Sequence, residues 1–317
     1  MTDVERRPLG RTGQTVPRVM LGCGNFGGVG SAPAFFGQGI GEDGAFALMD
    51  AAWEMGLRHF DTADAYGGGR SEAMIGRWCA ARGVRPAITT KTFNPMDAGA
   101  DSGLAPERVE RQLASSLERL GAERVDLYLA HEFDREVALE ETFAAFEAMV
   151  AAGTIGAYGV SNFDAAQLRR ATEVGLPACV QNSFSLLERG DEREVLAVCE
   201  ERGVAYAAFG PLAGGWLTGK YRRGREFPAG SRMTQRPEPY EGFVRDGVFD
   251  ALEGLEAMAA ERGTSMAGLA LAWLLAEPRL TSIVVGPTRP EHLEPVAEAL
   301  ANPLTAQDRH ALSGIFA

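Results

Sequence analysis

Residues 57–71 read LRHFDTADAYGGGRS. A short apolar run breaks at Asp61, and Tyr66 follows just ahead of the turn Gly67-Gly68-Gly69. A carboxylate and a phenol at the end of an apolar run are placed for chemistry rather than for packing. The same event recurs along the chain: an apolar run ends, and a polar residue stands at its end.

Working outward, residues 8–18 carry turn signals at Gly10 and Thr12-Gly13 and predict a β-hairpin. A buried strand is expected at 19–22. The glycine-rich loop GCGNFGGVG follows it, and a helix starts after Glu42, where Phe46, Met49, Ala52, Trp53 and Leu57 recur at three- and four-residue steps. From there strands at 57–61, 86–91, 125–130, 155–160, 178–181, 204–208 and 281–285 alternate with helices. The helices are read at 70–82, 106–120, 138–151, 164–174, 191–202, 246–262, 265–276, 290–300 and 305–315. Pro106 and Gly121 bracket one of them, and Val109, Leu113, Leu117 and Leu120 form its apolar face. Asp164 is an expected N-cap, and Asp191 with Glu194 resembles a capping box.

Runs such as VDLYL and SIVV suit parallel strands buried on both faces. Eight strands, each followed by a helix, predict an α/β (β/α)8 TIM barrel. Its additions are an N-terminal β-hairpin and extra helices after strand seven and at the C-terminus. A doubly wound open sheet is the structural rival. No linker divides residues 1–317, which read as one barrel domain.

The formal charge of −12 argues against nucleic acid or an anionic membrane as partner, since both reward clustered Lys and Arg. No apolar run approaches the ~18 residues of a membrane span, and the N-terminus has no signal-peptide core. Cys23, Cys79, Cys179 and Cys199 lack metal-site spacing and read as reduced packing thiols of a cytoplasmic protein. A homo-oligomer is left open.

In a barrel of this kind the reactive groups lie at the C-terminal strand ends. Those ends carry Gly22 to Asn25, Asp61, Lys91, His131, Ser161-Asn162, Gln181, Phe209-Gly210-Pro211 and Gly286. Asp61, Tyr66, Lys91 and His131 suit protonation of a carbonyl oxygen. An ammonium favours the phenolate form of a nearby tyrosine, a carboxylate holds the ammonium, and a histidine orients the oxygen. None of the four supplies a hydride, so a reduced cofactor is required. Taken singly each has a plainer reading: a surface lysine, a turn-capping histidine, an Asx-turn aspartate, a packed tyrosine.

Together with LGRTG, FDTADAYGGGRSE, the strand-end TTK, DLYLAHEFD, GVSNF, VQNSFS, FGPLAGGWLTGKY and IVVGPTRPEHL, these residues make the chain resemble an aldo-keto reductase over nearly its whole length. The similarity extends to the branch that includes potassium-channel β subunits. The resemblance implies a (β/α)8 barrel that reduces an aldehyde or ketone with NADP(H), without metal; NAD(H) is left open. It implies Tyr66 as proton donor, Lys91 and Asp61 as its tuning pair, and His131 as substrate orienter.

It further implies that Ser161, Asn162 and Gln181 hold the nicotinamide carboxamide and that Phe209 stacks on the nicotinamide ring. Gly210, Pro211, Leu212, Gly214, Lys220 and Arg232 belong to the connection that wraps the pyrophosphate. Gly286, Thr288 and Arg289 receive the 2′-phosphate end. Gly24 and Asn25, at the first strand end, are grouped with the cofactor-binding residues, as is His292, which stands where the family often has Gln. Pro295 and Val296 replace the family's adenine-gripping Glu and Asn, so weaker cofactor binding is expected, with Val296→Asn as its remedy.

GCGNFG at 22–27 matches GxGxxG, but no helix opens at its glycines. His131-Glu132 is not a zinc motif, because Arg135 stands where the second His belongs. Two rival functions are a barrel lyase using Lys91 as a Schiff-base nucleophile and a cofactor-binding regulatory subunit. Phe26, Phe35, Phe36, Phe93 and Trp216 either form an apolar substrate mouth or pack the loops.

Overall fold

The computed structural model describes residues 4–316. Strands β1 (Arg6–Pro8) and β2 (Thr15–Pro17) form the expected antiparallel hairpin. The next eight strands are β3 (Val19–Gly22), β4 (His59–Asp61), β5 (Ala87–Thr92), β6 (Val125–Ala130), β7 (Ile155–Ser161), β8 (Cys179–Ser183), β9 (Ala205–Phe209) and β10 (Ser282–Val285). They pair in parallel and in chain order, and β10 returns to β3, so the barrel closes. The open-sheet alternative is thereby excluded.

The register explains how one strand serves two environments. Lys91 pairs with Leu129, and Thr90 with Tyr128. Leu127 and Leu129 join Leu9, Val16, Met20, Ala157, Ala178, Cys179, Ala205 and Val284 in one apolar cluster. Because Leu9 and Val16 belong to the hairpin, that cluster plugs the N-terminal end of the barrel. Tyr128 and Ala130 point the other way, into the larger core between strands and helices. The alternation of faces along a strand therefore carries Asp61, Thr89 and Lys91 to the inside.

Eight of the surrounding helices are α1 (Glu42–Met55), α2 (Arg70–Arg82), α3 (Pro106–Leu120), α4 (Leu139–Ala152), α5 (Ala165–Val174), α6 (Val195–Arg202), α8 (Asp246–Glu261) and α10 (Glu294–Ala301). The short α7 (Arg232–Gln235) lies within the long connection after β9. The extra helices are α9 (Met266–Leu275), buried along almost its whole length, and α11 (Ala306–Ile315). Asp164 caps α5 in a full capping box with Gln167.

The second expected box is not formed. The helix read at 191–202 begins at Val195, and Asp191 lies in a 3-10 turn. Its Oδ2 instead accepts from Asn182 Nδ2 at 2.7 Å and from the Tyr206 hydroxyl at 2.8 Å. Two buried donors on neighbouring strands need that acceptor more than an exposed helix start does.

Helices α2 and α3 approach each other at Gly76. A Cβ there would lie 2.4 Å from the carbonyl oxygen of Arg119. Gly76→Ala gains helix propensity of about 1 kcal/mol but must push two backbones apart, which costs about 1–3 kcal/mol. The expected net result is a lower urea midpoint at unchanged slope; a raised midpoint would show that the helices have room to spare.

Candidate active site

The barrel interior near its C-terminal end holds a hydrogen-bonded line of polar side chains. Lys91 is fully buried, and its Nζ donates to Asp61 Oδ1 at 2.5 Å and to the Thr62 carbonyl at 2.8 Å. Gln181 Nε2 donates to the other oxygen, Asp61 Oδ2, at 2.7 Å. Ser161 Oγ donates to the Gln181 carbonyl at 2.7 Å. Four strands thus hold one ion pair. The Gln181–Asp61 bond spans 120 residues of sequence and had no signal in local pattern.

Tyr66 stands at the mouth, half-buried, with its ring centroid 5.1 Å from Lys91 Nζ and 5.6 Å from the His131 ring. Gly24 lies against it, where a Cβ would sit 3.4 Å from Cε2. The structure therefore brings Asp61, Tyr66, Lys91 and His131 together.

One electrostatic expectation is not met. Burial, the largest influence, raises the Tyr66 pKa above its ordinary value, and Lys91 offsets this only in part. Asp61, a hydrogen bond away, neutralises much of the ammonium field and itself pushes the phenol up. Burial works against the Lys91 charge, but Asp61 and Tyr66 outweigh it and raise the lysine pKa. Burial and then Lys91 hold His131 down at about 3, so its imidazole is neutral at pH 7.

Asn94, not singled out from the sequence, places Nδ2 3.3 Å from His131 Nδ1. Donation from the amide leaves the ring proton on Nε2. Its loop is pinned by the buried Arg108, which donates to the carbonyls of Asn94 and Gly103 and to Thr92 Oγ1.

Just past the neighbouring strand β7, Asn162 Nδ2 donates to the His131 carbonyl at 2.9 Å and to Glu132 Oε1 at 3.0 Å. Phe209 is half-buried at the end of β9. Asn25 donates to the Gly286 carbonyl at 3.4 Å and accepts from Arg232, tying three loops together. Gly214 and Gly215 have φ of 62° and 93°; a Cβ on the first would meet the Tyr240 ring and one on the second the Lys220 ammonium. Pro211 is buried and Leu212 half-buried between Gly210 and that turn.

Lys220, Arg232, Arg236 and Arg289 form no ion pair among the described residues. Lys220 is exposed along its side chain, with its ammonium close against Gly215. That partial burial, with repulsion from Arg232 and Arg289, lowers its pKa. Burial, Arg289 and Lys220 likewise lower His292, whose ring nitrogens face Thr288 and Arg289. Such converging, uncompensated cations in a chain of charge −12 fit a phosphate-bearing cofactor.

Burial corrects one expectation and decides an alternative that the sequence left open. Val296 is 1% exposed, in the core, so an asparagine there would bury an amide rather than reach a ligand. Phe26 and Trp216 are fully buried and are packing residues, whereas Phe35, Phe36 and Phe93 stay half-exposed. A cavity of about 300 Å³ lies at the far end of the barrel, between the hairpin turn at Arg11 and the loops at Leu176 and Gly203, and none of the four reactive residues lines it. Among the described residues no helix is long and apolar enough to cross a membrane, and no three His, Cys, Asp or Glu converge on a metal position.

Residues 18–316 match the aldo/keto reductase family. The chain is 33% identical to an L-glyceraldehyde 3-phosphate reductase of Escherichia coli O157:H7, covering 95% of this chain and 88% of that one. It is 30% identical to a probable voltage-gated potassium channel subunit beta of Oryza sativa subsp. japonica, covering 94% of each. Among solved structures, the glycerol dehydrogenase AKR11B4 from Gluconobacter oxydans superposes with a TM-score of 0.84 at 27% identity, covering 99% of this chain and 95% of that one.

The low His131 pKa has a testable consequence. Its folded value, about 3, lies below the unfolded 6.5, so the unfolded chain binds the proton first as pH falls. Its contribution is complete above 6.5 and is lost below it. Between pH 7 and 5 the wild type should lose about 2 kcal/mol more unfolding free energy than His131→Gln. Asp64, which burial raises to about 7, has the opposite slope and cancels in the comparison. Urea titrations showing equal pH slopes would refute the neutral buried imidazole.

A barrel closed in chain order, the match over residues 18–316 and the relatives' reductase and dehydrogenase activities agree: the chain belongs to the aldo/keto reductase family and is an NAD(P)H-dependent oxidoreductase.

Proposed function

We propose that this protein reduces an aldehyde or ketone to the alcohol, with NADPH as the preferred hydride source and Tyr66 as general acid. The observation that carries the reading is the convergence of Tyr66, His131 and the buried Lys91–Asp61 pair at one mouth. Bound NADPH supplies the hydride to the carbonyl carbon. Tyr66 gives its phenolic proton to the carbonyl oxygen as negative charge develops there. Lys91 stabilises the phenolate left behind, and Asp61 with Gln181 keeps the ammonium in place. His131, with its proton on Nε2, donates to the same oxygen and fixes its direction.

The raised pKa of Tyr66 is compatible with this role, because an acid must hold its proton at neutral pH. The half-reaction needs phenolate only after hydride has begun to move, when Lys91 is the nearest compensating charge. Ser161, Asn162 and Gln181 are assigned to the carboxamide, Phe209 to the nicotinamide face, and Gly210 to Gly214 to the pyrophosphate. Lys220 is assigned to the pyrophosphate with that connection, and Arg289 and Thr288, with Arg232 facing them and His292 beside them, to the 2′-phosphate. A Schiff-base role for Lys91 is disfavoured by its raised pKa and by its two acceptors, which keep the nitrogen protonated. A purely regulatory role leaves the acid constellation without a purpose. The cytoplasm is the compartment that four free cysteines suit.

Tyr66→Phe should lower carbonyl reduction about 10²–10⁴-fold while NADPH binding, followed by fluorescence quenching, stays within a few-fold. Near-full turnover in that variant would remove Tyr66 as the acid. Arg289→Ala should narrow the ratio of kcat/KM for NADPH over NADH, since charge-assisted bonds to phosphate are worth about 1.5–3 kcal/mol. A wild type indifferent to the 2′-phosphate, unchanged by the substitution, would leave Arg289 as a solvated surface residue.

A further inference from the structure

The mouth is divided electrostatically. The uncompensated cations lie on the loops after β9 and β10. Across from them, Asp97 in the loop after β5 (93–105) and Glu132 at the start of the loop after β6 form no ion pair among the described residues, whereas Asp101 is paired with Arg108 and Arg111.

Glu132 follows His131 and is half-buried. One oxygen accepts from Asn162 Nδ2, the amide that also grips the His131 carbonyl. The other oxygen makes no hydrogen bond, and no cation pairs with the carboxylate among the described residues. The proposed reduction gives it no part. A carboxylate held in place by one oxygen, with the other unused beside the residue that orients the carbonyl, is built to receive a donor and to repel an anion.

We propose that Glu132 determines the substrate class: an uncharged carbonyl compound carrying a hydroxyl, whose O–H donates to the unused Glu132 oxygen, with phosphorylated and carboxylated carbonyl compounds excluded by charge. This rests on the reading that carbonyl reduction occurs at Tyr66 and His131. Within that reading it separates this chain from a relative named for a phosphorylated aldehyde, in spite of 33% identity.

Glyceraldehyde and glyceraldehyde 3-phosphate form a matched pair that differs in the phosphate, and propanal lacks both hydroxyls. Glu132→Gln keeps an acceptor for Asn162 and removes the charge. At pH 8, with loss of NADPH absorbance as the readout, the wild type should show at least a tenfold higher kcat/KM for glyceraldehyde than for its phosphate. Glu132→Gln should raise kcat/KM for the phosphate at least threefold and lower that for glyceraldehyde at least threefold, because the amide nitrogen at the second position cannot accept the hydroxyl, with the NADPH Kd changed less than threefold. The gain should shrink at 0.5 M salt, as screening requires. Glu132→Leu should lower the ratio of glyceraldehyde to propanal. A wild type that favours the phosphate, or a Gln variant whose phosphate kcat/KM rises less than threefold, overturns the inference while reduction of propanal leaves the reading of the site standing. Absence of NADPH-dependent reduction of all three compounds overturns both.

Discussion

The buried ion pair between Lys91 and Asp61 is the constraint on which the site depends. Neither side chain retains more than 3% exposure. Two charges taken out of water cost several kcal/mol each unless geometry and additional hydrogen bonds compensate. Here they do: the Thr62 carbonyl accepts a second hydrogen bond from the ammonium, and Gln181 donates to the second carboxylate oxygen. Lys91 comes from the third barrel strand, Asp61 from the second and Gln181 from the sixth. That arrangement exists only if the sheet closes, so the barrel and the ion pair require each other.

The same pair sets the electrostatics at the mouth. Because its charges largely cancel at the distance of Tyr66, desolvation decides the phenol's resting state, and the proton stays on oxygen. The ammonium reaches His131 with enough effect to add to burial and keep the ring neutral. The mouth therefore offers two neutral donors above a compensated charge. In the proposed reduction an approaching carbonyl would meet hydrogen bonds that strengthen as its oxygen becomes negative, which is the condition for favouring the transition state over the ground state.

Much of this was legible in sequence because strand ends in a barrel are equivalent places. An apolar run such as VDLYLA ending in His131 states both its depth and its direction, and Asp164 states a helix start. What was not legible lay in contacts between distant segments. Asp191 has the spacing of a cap, yet two buried donors from β8 and β9 take it. Val296 matches a ligand-gripping position by alignment of motif, yet faces the core. The direction of the Tyr66 shift followed first from the burial of its phenol, with Asp61 adding to it. In each case the deciding quantity was burial or a contact set across the fold, to which local pattern is blind.

Strand β5, AITTKT, shows how such a site is held to its geometry. Its inner face carries Thr89 and Lys91, and its outer face carries Thr90 and Thr92; all four are buried. Apolar packing cannot fix a strand that is polar on both faces, so directional bonds do. Thr89 meets His59 at 2.7 Å, and Thr90 donates to the buried Glu72 at 2.6 Å. Glu72 is held in turn by Arg119 at 2.7 Å. Thr92 accepts from Arg108, whose remaining donors reach the loop carrying Asn94. A hydrogen bond tolerates less displacement than an apolar contact, because it weakens steeply with angle. The polar outer face of β5 thus positions Lys91 and, through Arg108 and Asn94, the ring of His131, which gives one strand control over both partners of Tyr66.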